Sequence, residues 1–407
     1  MKRKKDPTAA ELVIMTGFPP PEGKLVNSVN WNSYPLNRWS FQNVRRILPT
    51  AKLYRNPDQM VPFQQDPQNL DHLYVDLGNN TRETVQEILE SWQTDSIVVL
   101  HNSKLVYERY WNGMSPTKPH AVFSVSKSYI GTLAAILVDR GVLDRDCKVE
   151  VYVPELADSG FAGASIGQLL DMTAGTEWDE SPAAMADENS PARQYFAAAG
   201  VLVIPGSSSG GVASFLPSIE SNRPHGQSFV YNAPQTDVMN WVVARVTKRS
   251  LIENLNEEIW SKLGTEGDAY YLLDGAGAPW GTGGMSICAR DMARFGQMML
   301  NGGHFAGRRV VPDSVITKIL TKGNKATYAN GPHTETYPNG AYRDYWWITN
   351  DRDGAYLAKG VFGQLIYINP KAQVVITRHA SEKETSNKQK TIEVEATFQA
   401  IADFLSK

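Results

Sequence analysis

A serine and a lysine three residues apart form the part of this sequence best suited to chemistry. They stand in the order Ser124-Val-Ser-Lys127, at the start of an apolar stretch. Residues three apart lie on one face of a helix, so this spacing brings a hydroxyl and an amine into contact if a helix begins here. A buried lysine loses its preference for the charged form and can accept the hydroxyl proton. The pair therefore predicts nucleophilic catalysis through an acyl-enzyme.

Spacing alone does not select this serine, because Ser115 and Lys118 have the same spacing. Ser115 precedes a proline and no helical pattern follows it, whereas Ser124 comes directly before the strongest buried-helix pattern of the chain. The alternative is that Ser124 only caps this helix and that Lys127 lies on the surface.

Two other serines stand in the Gly-x-Ser-x-Gly pattern of an α/β-hydrolase nucleophile elbow, namely Ser165 and Ser208. An elbow requires a buried strand before the serine and a helix after it, and neither serine has both. Ser165 is expected to cap a helix that starts near Ile166, and Ser208 to lie in a Gly- and Ser-rich loop. These contexts disfavour the α/β-hydrolase interpretation.

The elements around Ser124 predict an α+β fold. A helix from about 126 to 140, ended by Gly141 as C-cap, follows the serine. Strand patterns occur on both sides of it in the chain, and an amphipathic helix ends the sequence. We therefore expect one antiparallel sheet built from both ends of the chain, with helices packed on it. The predicted strands are 96–100, 105–110, 345–348, 363–368 and 373–378, and the last helix includes 394–405.

Composition divides the chain into three parts. Residues 1–80 are rich in Pro and Asn with scattered aromatic residues, which indicates an arm that wraps the body. Residues 81–141 and 290–407 form the predicted sheet domain, and residues 142–289 form a mainly helical domain.

Charge and cysteine content exclude several classes of function. The 40 basic and 43 acidic side chains nearly balance, so neither a nucleic acid nor a membrane is expected as partner. The two cysteines and seven histidines show no metal-binding spacing, and no metal or organic cofactor is predicted. The basic start lacks a following apolar segment, which favours a cytoplasmic protein, while nothing indicates the oligomeric state.

A series of motifs, in order along residues 80–407, resembles the beta-lactamase-like, penicillin-recognising serine hydrolases. The pattern is most similar to 6-aminohexanoate-dimer hydrolases and family VIII carboxylesterases. The resemblance implies a beta-lactamase/DD-peptidase-like fold, in which an antiparallel sheet is flanked by helices and carries an inserted, mainly helical region. The motifs are Phe123-Ser-Val-Ser-Lys127, Gln168-Leu-Leu-Asp-Met-Thr-Ala-Gly175, Phe229-Val-Tyr231, Gly281-Thr-Gly-Gly284 and Tyr345-Trp-Trp347.

The resemblance also implies roles for single residues. Tyr231 would relay protons to the leaving group, and Asn232 beside it would contact the substrate. Gly360 would let the substrate lie along a sheet edge, where the backbone N–H of Val361 and that of Ser124 form an oxyanion hole. Gln364 is a further candidate for substrate binding.

The third motif of the family begins with a lysine in beta-lactamases, but this chain has Ala358 there. Side chains alternate along a strand, so if Ala358 and Gly360 face the cleft, Lys359 is expected to face away from it. This arrangement predicts poor beta-lactamase activity.

The sequence thus predicts a serine hydrolase that cleaves amide or ester bonds of small molecules, with Ser124, Lys127 and Tyr231 as catalytic residues, similar to 6-aminohexanoate-dimer hydrolase. Two alternatives stay open: a carboxylesterase of the same fold, and a non-catalytic binding module on that fold.

Overall fold

The computed structural model describes residues 5–78, 80–204 and 210–407. Its α-helices are α1 (Asn37–Ser40), α2 (Val85–Ser91), α3 (Val125–Asp139), α4 (Val149–Tyr152), α5 (Ile166–Leu170), α6 (Pro182–Ala186), α7 (Pro191–Ala198), α8 (Val212–Phe215), α9 (Ala233–Thr247), α10 (Leu251–Glu258), α11 (Ala289–Leu300), α12 (Asp313–Thr321), α13 (Lys325–Ala329) and α14 (Lys388–Leu405). Its strands are β1 (Thr50–Leu53), β2 (Tyr74–Asp76), β3 (Arg82–Thr84), β4 (Thr94–His101), β5 (Lys104–Tyr110), β6 (His120–Ala121), β7 (Ala269–Leu272), β8 (Met285–Ile287), β9 (His304–Phe305), β10 (Arg308–Arg309), β11 (Ala341–Arg343), β12 (Trp346–Ile348), β13 (Tyr356–Gly360), β14 (Gln364–Asn369) and β15 (Val374–Ala380).

The main sheet has the order β11-β12-β13-β14-β15-β4-β5, and every neighbouring pair is antiparallel. β4, from the first third of the chain, pairs with β15 near its end, in the register His101↔Val374 to Arg378↔Ile97. This confirms the predicted antiparallel sheet built from both ends of the chain, and with it the predicted α+β fold.

Helices cover both faces of this sheet. Gly296 of α11 lies against Ile366 and Val375, whereas Phe398 of α14 packs on Tyr367 with ring centroids 5.8 Å apart. Ile366 and Tyr367 are consecutive on β14, so their side chains point to opposite faces. The sheet is therefore the middle layer between α11 and α14.

The helix after Ser124 is the centre of the molecule. Nearly every residue of α3 is buried, and the helix packs against α9, α10, α12 and β13. Gly141 follows its last turn with φ of +71°, which confirms the predicted glycine C-cap, because a residue with a β-carbon rarely adopts this conformation.

A second sheet, with the order β1-β7-β8-β6, was missing from the sequence-based description. Its strands have two to four residues each, and β1 pairs with β7 across more than half the chain. β7 and β8 are buried on both faces, so they show no alternation that would mark them as strands. β6 ends just before Ser124, so this sheet fixes the approach to the serine. The division into three parts stays a prediction.

In the described ranges, no helix is both long enough and apolar enough to cross a bilayer.

Candidate active site

The hydroxyl of Ser124 is not used as a helix cap. Ser124 directly precedes α3 with helical backbone angles, φ −66° and ψ −6°, and its side chain makes no capping hydrogen bond. Lys127 Nζ instead donates to Ser124 Oγ over 2.9 Å. The capping alternative is therefore wrong, and the predicted contact between hydroxyl and amine is present.

Lys127 is buried, with 1% of its surface exposed. Its second hydrogen bond goes to the carbonyl oxygen of Thr282 at 2.9 Å. Burial lowers the pKa of Lys127 to about 8, although the charges of Glu180 and Asp237 act in the opposite direction. An amine with this pKa is neutral often enough near neutral pH to accept a proton.

Asp237 of α9 holds the loop that supplies the Thr282 carbonyl. Its Oδ1 accepts the backbone N–H of Gly281 at 2.9 Å, and its Oδ2 accepts the phenol of Tyr195. The hydroxyl of Thr282 donates in turn to the Ala233 carbonyl at the start of α9, over 2.7 Å. Sequence reasoning missed Asp237, because its partners lie more than 40 residues away in either direction.

Tyr231 lies beside this pair. The ammonium of Lys127 is 5.2 Å from the centroid of the Tyr231 ring, and the ring stacks on Trp347 at 5.6 Å. Burial raises the pKa of the Tyr231 phenol above its usual range, while a hydrogen bond with the Ser124 hydroxyl lowers it. The phenol is therefore protonated at neutral pH and lies within reach of Ser124.

A carboxylate that sequence reasoning did not assign, Glu180, completes the polar surroundings. It borders the same cavity as Ser124 and accepts hydrogen bonds from Trp178 Nε1 at 2.6 Å and from the Ala233 N–H at 3.2 Å. Its charge raises the pKa of Lys127 and that of Tyr231.

Gly360 ends β13 directly beside the serine. A β-carbon at this position would lie 2.3 Å from the Val122 carbonyl oxygen and 3.2 Å from the Ser124 nitrogen, so no other residue fits without a backbone shift. β12 pairs with β13 only as far as Leu357. The edge of β13 beyond Leu357 is consequently free of β12, and Gly360 at the end of this stretch lies beside the serine.

The two N–H groups predicted as an oxyanion hole have no competing acceptor. Within the described residues, no backbone carbonyl accepts from the N–H of Ser124 or from that of Val361. The close approach of Gly360 to the Ser124 nitrogen brings the two groups to neighbouring positions. Two such donors can stabilise a negative charge on a carbonyl oxygen placed between them.

The amides of Asn232 and Gln364 are engaged inside the protein, and both side chains are fully buried. Asn232 caps α9 through the Gln235 N–H and donates to Thr176 Oγ1 at 2.8 Å. Gln364 donates to the Ala380 carbonyl at 2.6 Å and to the Phe362 carbonyl at 3.1 Å. Both residues thus make contacts inside the protein where substrate contacts were expected. Asn232 fixes the helix after Tyr231, and Gln364 fixes the turn after Gly360.

The expected orientation of Lys359 is wrong. Lys359 lines the cavity, whereas Ala358 is fully buried. Its Nζ donates to Glu395 Oε1 at 2.8 Å and to the Tyr337 hydroxyl at 2.9 Å. Ala358 belongs to the buried core that also contains the apolar residues of α3, so alternation along the strand turns the neighbouring Lys359 side chain towards the cavity.

Ser124 opens into a cavity of about 480 Å³, a volume suited to a small molecule. Its charged groups are mostly paired, Lys359 with Glu395, Lys388 with Glu335, and Arg378 with Glu382. Lining residues include Ser124, Glu180, Tyr231, His333, Trp347, Lys359, Gly360, Val361 and Gln364.

The two serines of the rival interpretation differ in what the structure says of them. Ser165 caps α5, accepting the Gln168 N–H at 3.2 Å, as predicted. Ser208 lies outside the described residues.

Among residues 5–78, 80–204 and 210–407, no cluster of three or more His, Cys, Asp or Glu side chains is arranged to hold a metal ion.

Comparison with known proteins identifies a family. The family model described as Beta-lactamase matches residues 81–397. The 6-aminohexanoate-dimer hydrolase of Paenarthrobacter ureafaciens is 33% identical over 352 residues, which cover 86% of this chain and 87% of the relative.

Solved structures agree with that result. A Bacillus anthracis protein, provisionally described as a 6-aminohexanoate-dimer hydrolase, superposes with a TM-score of 0.86 at 31% identity, covering 95% of this chain and 98% of its own. A family VIII carboxylesterase superposes with a TM-score of 0.52 at 17% identity, covering 75% of this chain and 92% of its own, and shows the shared fold alone.

Proposed function

The chain belongs to the beta-lactamase family and is a serine hydrolase, and we propose that it cleaves an amide or ester bond of a small molecule through an acyl-enzyme on Ser124. The observation that carries the proposal is the 2.9 Å hydrogen bond from the buried Lys127 amine to Ser124 Oγ. The Ser124 hydroxyl makes no helix-capping hydrogen bond. The pKa of Lys127 lies near the working range of a general base.

The first step is acylation. Neutral Lys127 accepts the Ser124 proton while Oγ bonds to the substrate carbonyl carbon, and the carbonyl oxygen becomes an anion. The N–H groups of Ser124 and Val361 donate to this oxygen. The C–N or C–O bond then breaks as Tyr231 gives its phenol proton to the leaving amine or alcohol, and Lys127 returns the serine proton to Tyr231.

The second step is hydrolysis. Water attacks the acyl carbonyl, the bond to Ser124 Oγ breaks, and the acid leaves while the serine regains a proton. No step needs a metal or organic cofactor.

The substrate we propose is a short linear amide, because the relative at 33% identity is a 6-aminohexanoate-dimer hydrolase. The free edge of β13 beyond Leu357 supports this, since an extended chain can pair along such an edge. A carboxylesterase is the second candidate. We further propose a cytoplasmic location, in keeping with two unpaired cysteines, and no nucleic-acid or membrane partner.

The test is labelling by a fluorophosphonate probe followed by peptide mapping. We expect the probe on Ser124 in the wild type, no label in Ser124→Ala, and labelling slowed by about 10³-fold in Lys127→Met. Ser165→Ala is the matched control and should label at the wild-type rate. Label on another residue, or a wild type that hydrolyses substrate without labelling, contradicts the proposal. A folded protein with neither label nor turnover is a binding module.

Turnover separates the two substrate classes. Turnover is measured with 6-aminohexanoate dimer and with p-nitrophenyl esters of similar length. We expect the enzyme to hydrolyse the amide. Turnover of esters alone favours the carboxylesterase.

A further inference from the structure

Two phenylalanines flank the proposed oxyanion hole in an unusual backbone conformation. Phe123 precedes Ser124 with φ of +45°, and Phe362 follows Val361 with φ of +60°. Residues with a β-carbon rarely adopt this left-handed region, which persists where the surroundings enforce it. Whatever holds these two residues therefore sets the direction of the adjacent N–H groups.

Their rings pack on two aromatic side chains from the N-terminal part of the chain. Phe41 lies 4.8 Å from Phe123 and 5.1 Å from Phe362, and the two phenylalanine rings of the turns are 5.4 Å apart. Trp31 stacks on Phe123 at 6.1 Å and meets Phe41 edge-on at 5.8 Å. All four of these aromatic residues are buried.

Hydrogen bonds attach the same part of the chain to both sides of the hole. The Phe41 carbonyl accepts the Ala121 N–H at 2.8 Å, just before the serine turn. On the other side, Asn37 Nδ2 donates to the Glu382 carbonyl at 2.8 Å, and the Glu382 N–H donates to the Phe362 carbonyl at 3.4 Å. The segment from Asn37 to Phe41 is thus hydrogen-bonded next to each of the two turns.

We propose that Phe41, supported by Trp31, is a positioning residue of the oxyanion hole. Its ring contacts both Phe123 and Phe362 and holds them in the conformation that aims the Ser124 and Val361 N–H groups at one point. The inference rests on the proposed function, because it presupposes that these N–H groups stabilise an oxyanion. The family model begins at residue 81, so Phe41 lies outside the matched region and yet completes the site.

A purely structural role for Phe41 makes a different prediction. Loss of stability lowers the amount of folded enzyme and slows every substrate by the same factor. Misalignment of the two N–H groups slows only those reactions whose transition state these groups stabilise. A carbonyl sulphur is a weak hydrogen-bond acceptor, so a thionoester gains little from these N–H groups.

The experiment compares Phe41→Leu with the wild type on p-nitrophenyl acetate and on its thiono analogue, in which sulphur replaces the carbonyl oxygen. We expect kcat for the oxygen ester to fall by about 10-fold or more with little change in KM, while the thionoester changes far less. Trp39→Leu is the matched control, because Trp39 lies on α1 two residues before Phe41 but packs on Arg46. It should leave both rates unchanged.

An equal loss on both substrates, or no loss in a folded Phe41→Leu, overturns the inference. If circular dichroism shows that Phe41→Leu is unfolded, Trp31→Phe replaces it, and a smaller loss with the same preference for the oxygen ester is expected. Wild-type labelling keeps the two proposals apart. If Ser124 of the wild type is not labelled, the proposed function is refuted. If it is labelled, but the ratio of kcat for the oxygen ester to kcat for the thionoester is unchanged in the variant, only the role of Phe41 is refuted.

Discussion

Removing the charge of Glu180 should move the acid limb of the pH profile to lower pH. The pKa of Lys127 is about 8. With that value, about 1% of the amine is neutral at pH 6 and about half at pH 8, so activity should rise by about 50-fold between them. Glu180 stabilises the ammonium form and raises this pKa. Glu180→Gln takes the charge away but keeps an oxygen that can accept from Trp178 and Ala233.

The size of the shift follows from the exposure of Glu180. This carboxylate is exposed, so water and salt screen it, and we expect a decrease in the pKa of Lys127 of about 0.5 unit at low ionic strength. The rate should then rise about threefold at pH 6, where the amine limits the reaction, and stay constant above about pH 9. Salt of about 0.5 M should shrink the difference.

The assay is the second-order rate constant of fluorophosphonate labelling from about pH 5.5 to 9.5, since this reaction reports the serine and its base without a leaving amine. Glu177→Gln is the control, because Glu177 is exposed on the same loop but does not line the cavity. If the acid limb of the pH profile stays in place in Glu180→Gln, or moves to higher pH, the assignment of Lys127 as the base or of Glu180 as its electrostatic partner is refuted.

Three further substitutions test other parts of the site. Tyr231→Phe should slow a linear amide by about 10²-fold and an activated p-nitrophenyl ester much less, because only the amine must be protonated as it leaves; equal losses would count against a leaving-group role. Gly360→Ala would place a methyl group 2.3 Å from the Val122 carbonyl oxygen, so ester turnover should fall by about 10-fold or more in a variant whose circular dichroism is native; an unchanged kcat would refute the need for glycine. Ser165→Ala removes the cap of α5 and should lower the free energy of unfolding by about 1 kcal/mol in urea titration while turnover stays constant, and a loss of turnover would revive the α/β-hydrolase interpretation.

Short-range patterns predicted the local geometry around Ser124. Ser124 and Lys127 are three residues apart on one helix, so helical geometry alone brings them together. Gly141 marks the end of that helix, and the strands 96–100 and 105–110 were visible as two runs separated by a short polar turn. Each of these features depends on neighbours within a few residues.

Features that depend on distant segments could not be predicted in this way. The orientation of Lys359 depends on which face of β13 is buried in the core, and alternation fixes only that its neighbours point the other way. Asp237 acts through Gly281, a loop residue 44 positions away. Asn232 and Gln364 are polar residues in the right motifs, but their hydrogen bonds inside the protein become visible only in three dimensions.

The pairing of β4 with β15 has a consequence for synthesis. β4 leaves the ribosome about 270 residues before its partner, which at roughly 5 to 20 residues per second means a wait of about 15 to 55 seconds. During that time the edge of β4 that will pair with β15 has no native partner, although nearly all residues of β4 are buried in the folded protein. An unpaired strand edge of this kind favours aggregation. Chains that stop before residue 374 lack β15 and cannot close the sheet. Because β15 completes the sheet, the folded hydrolase can form only after this last strand has been made.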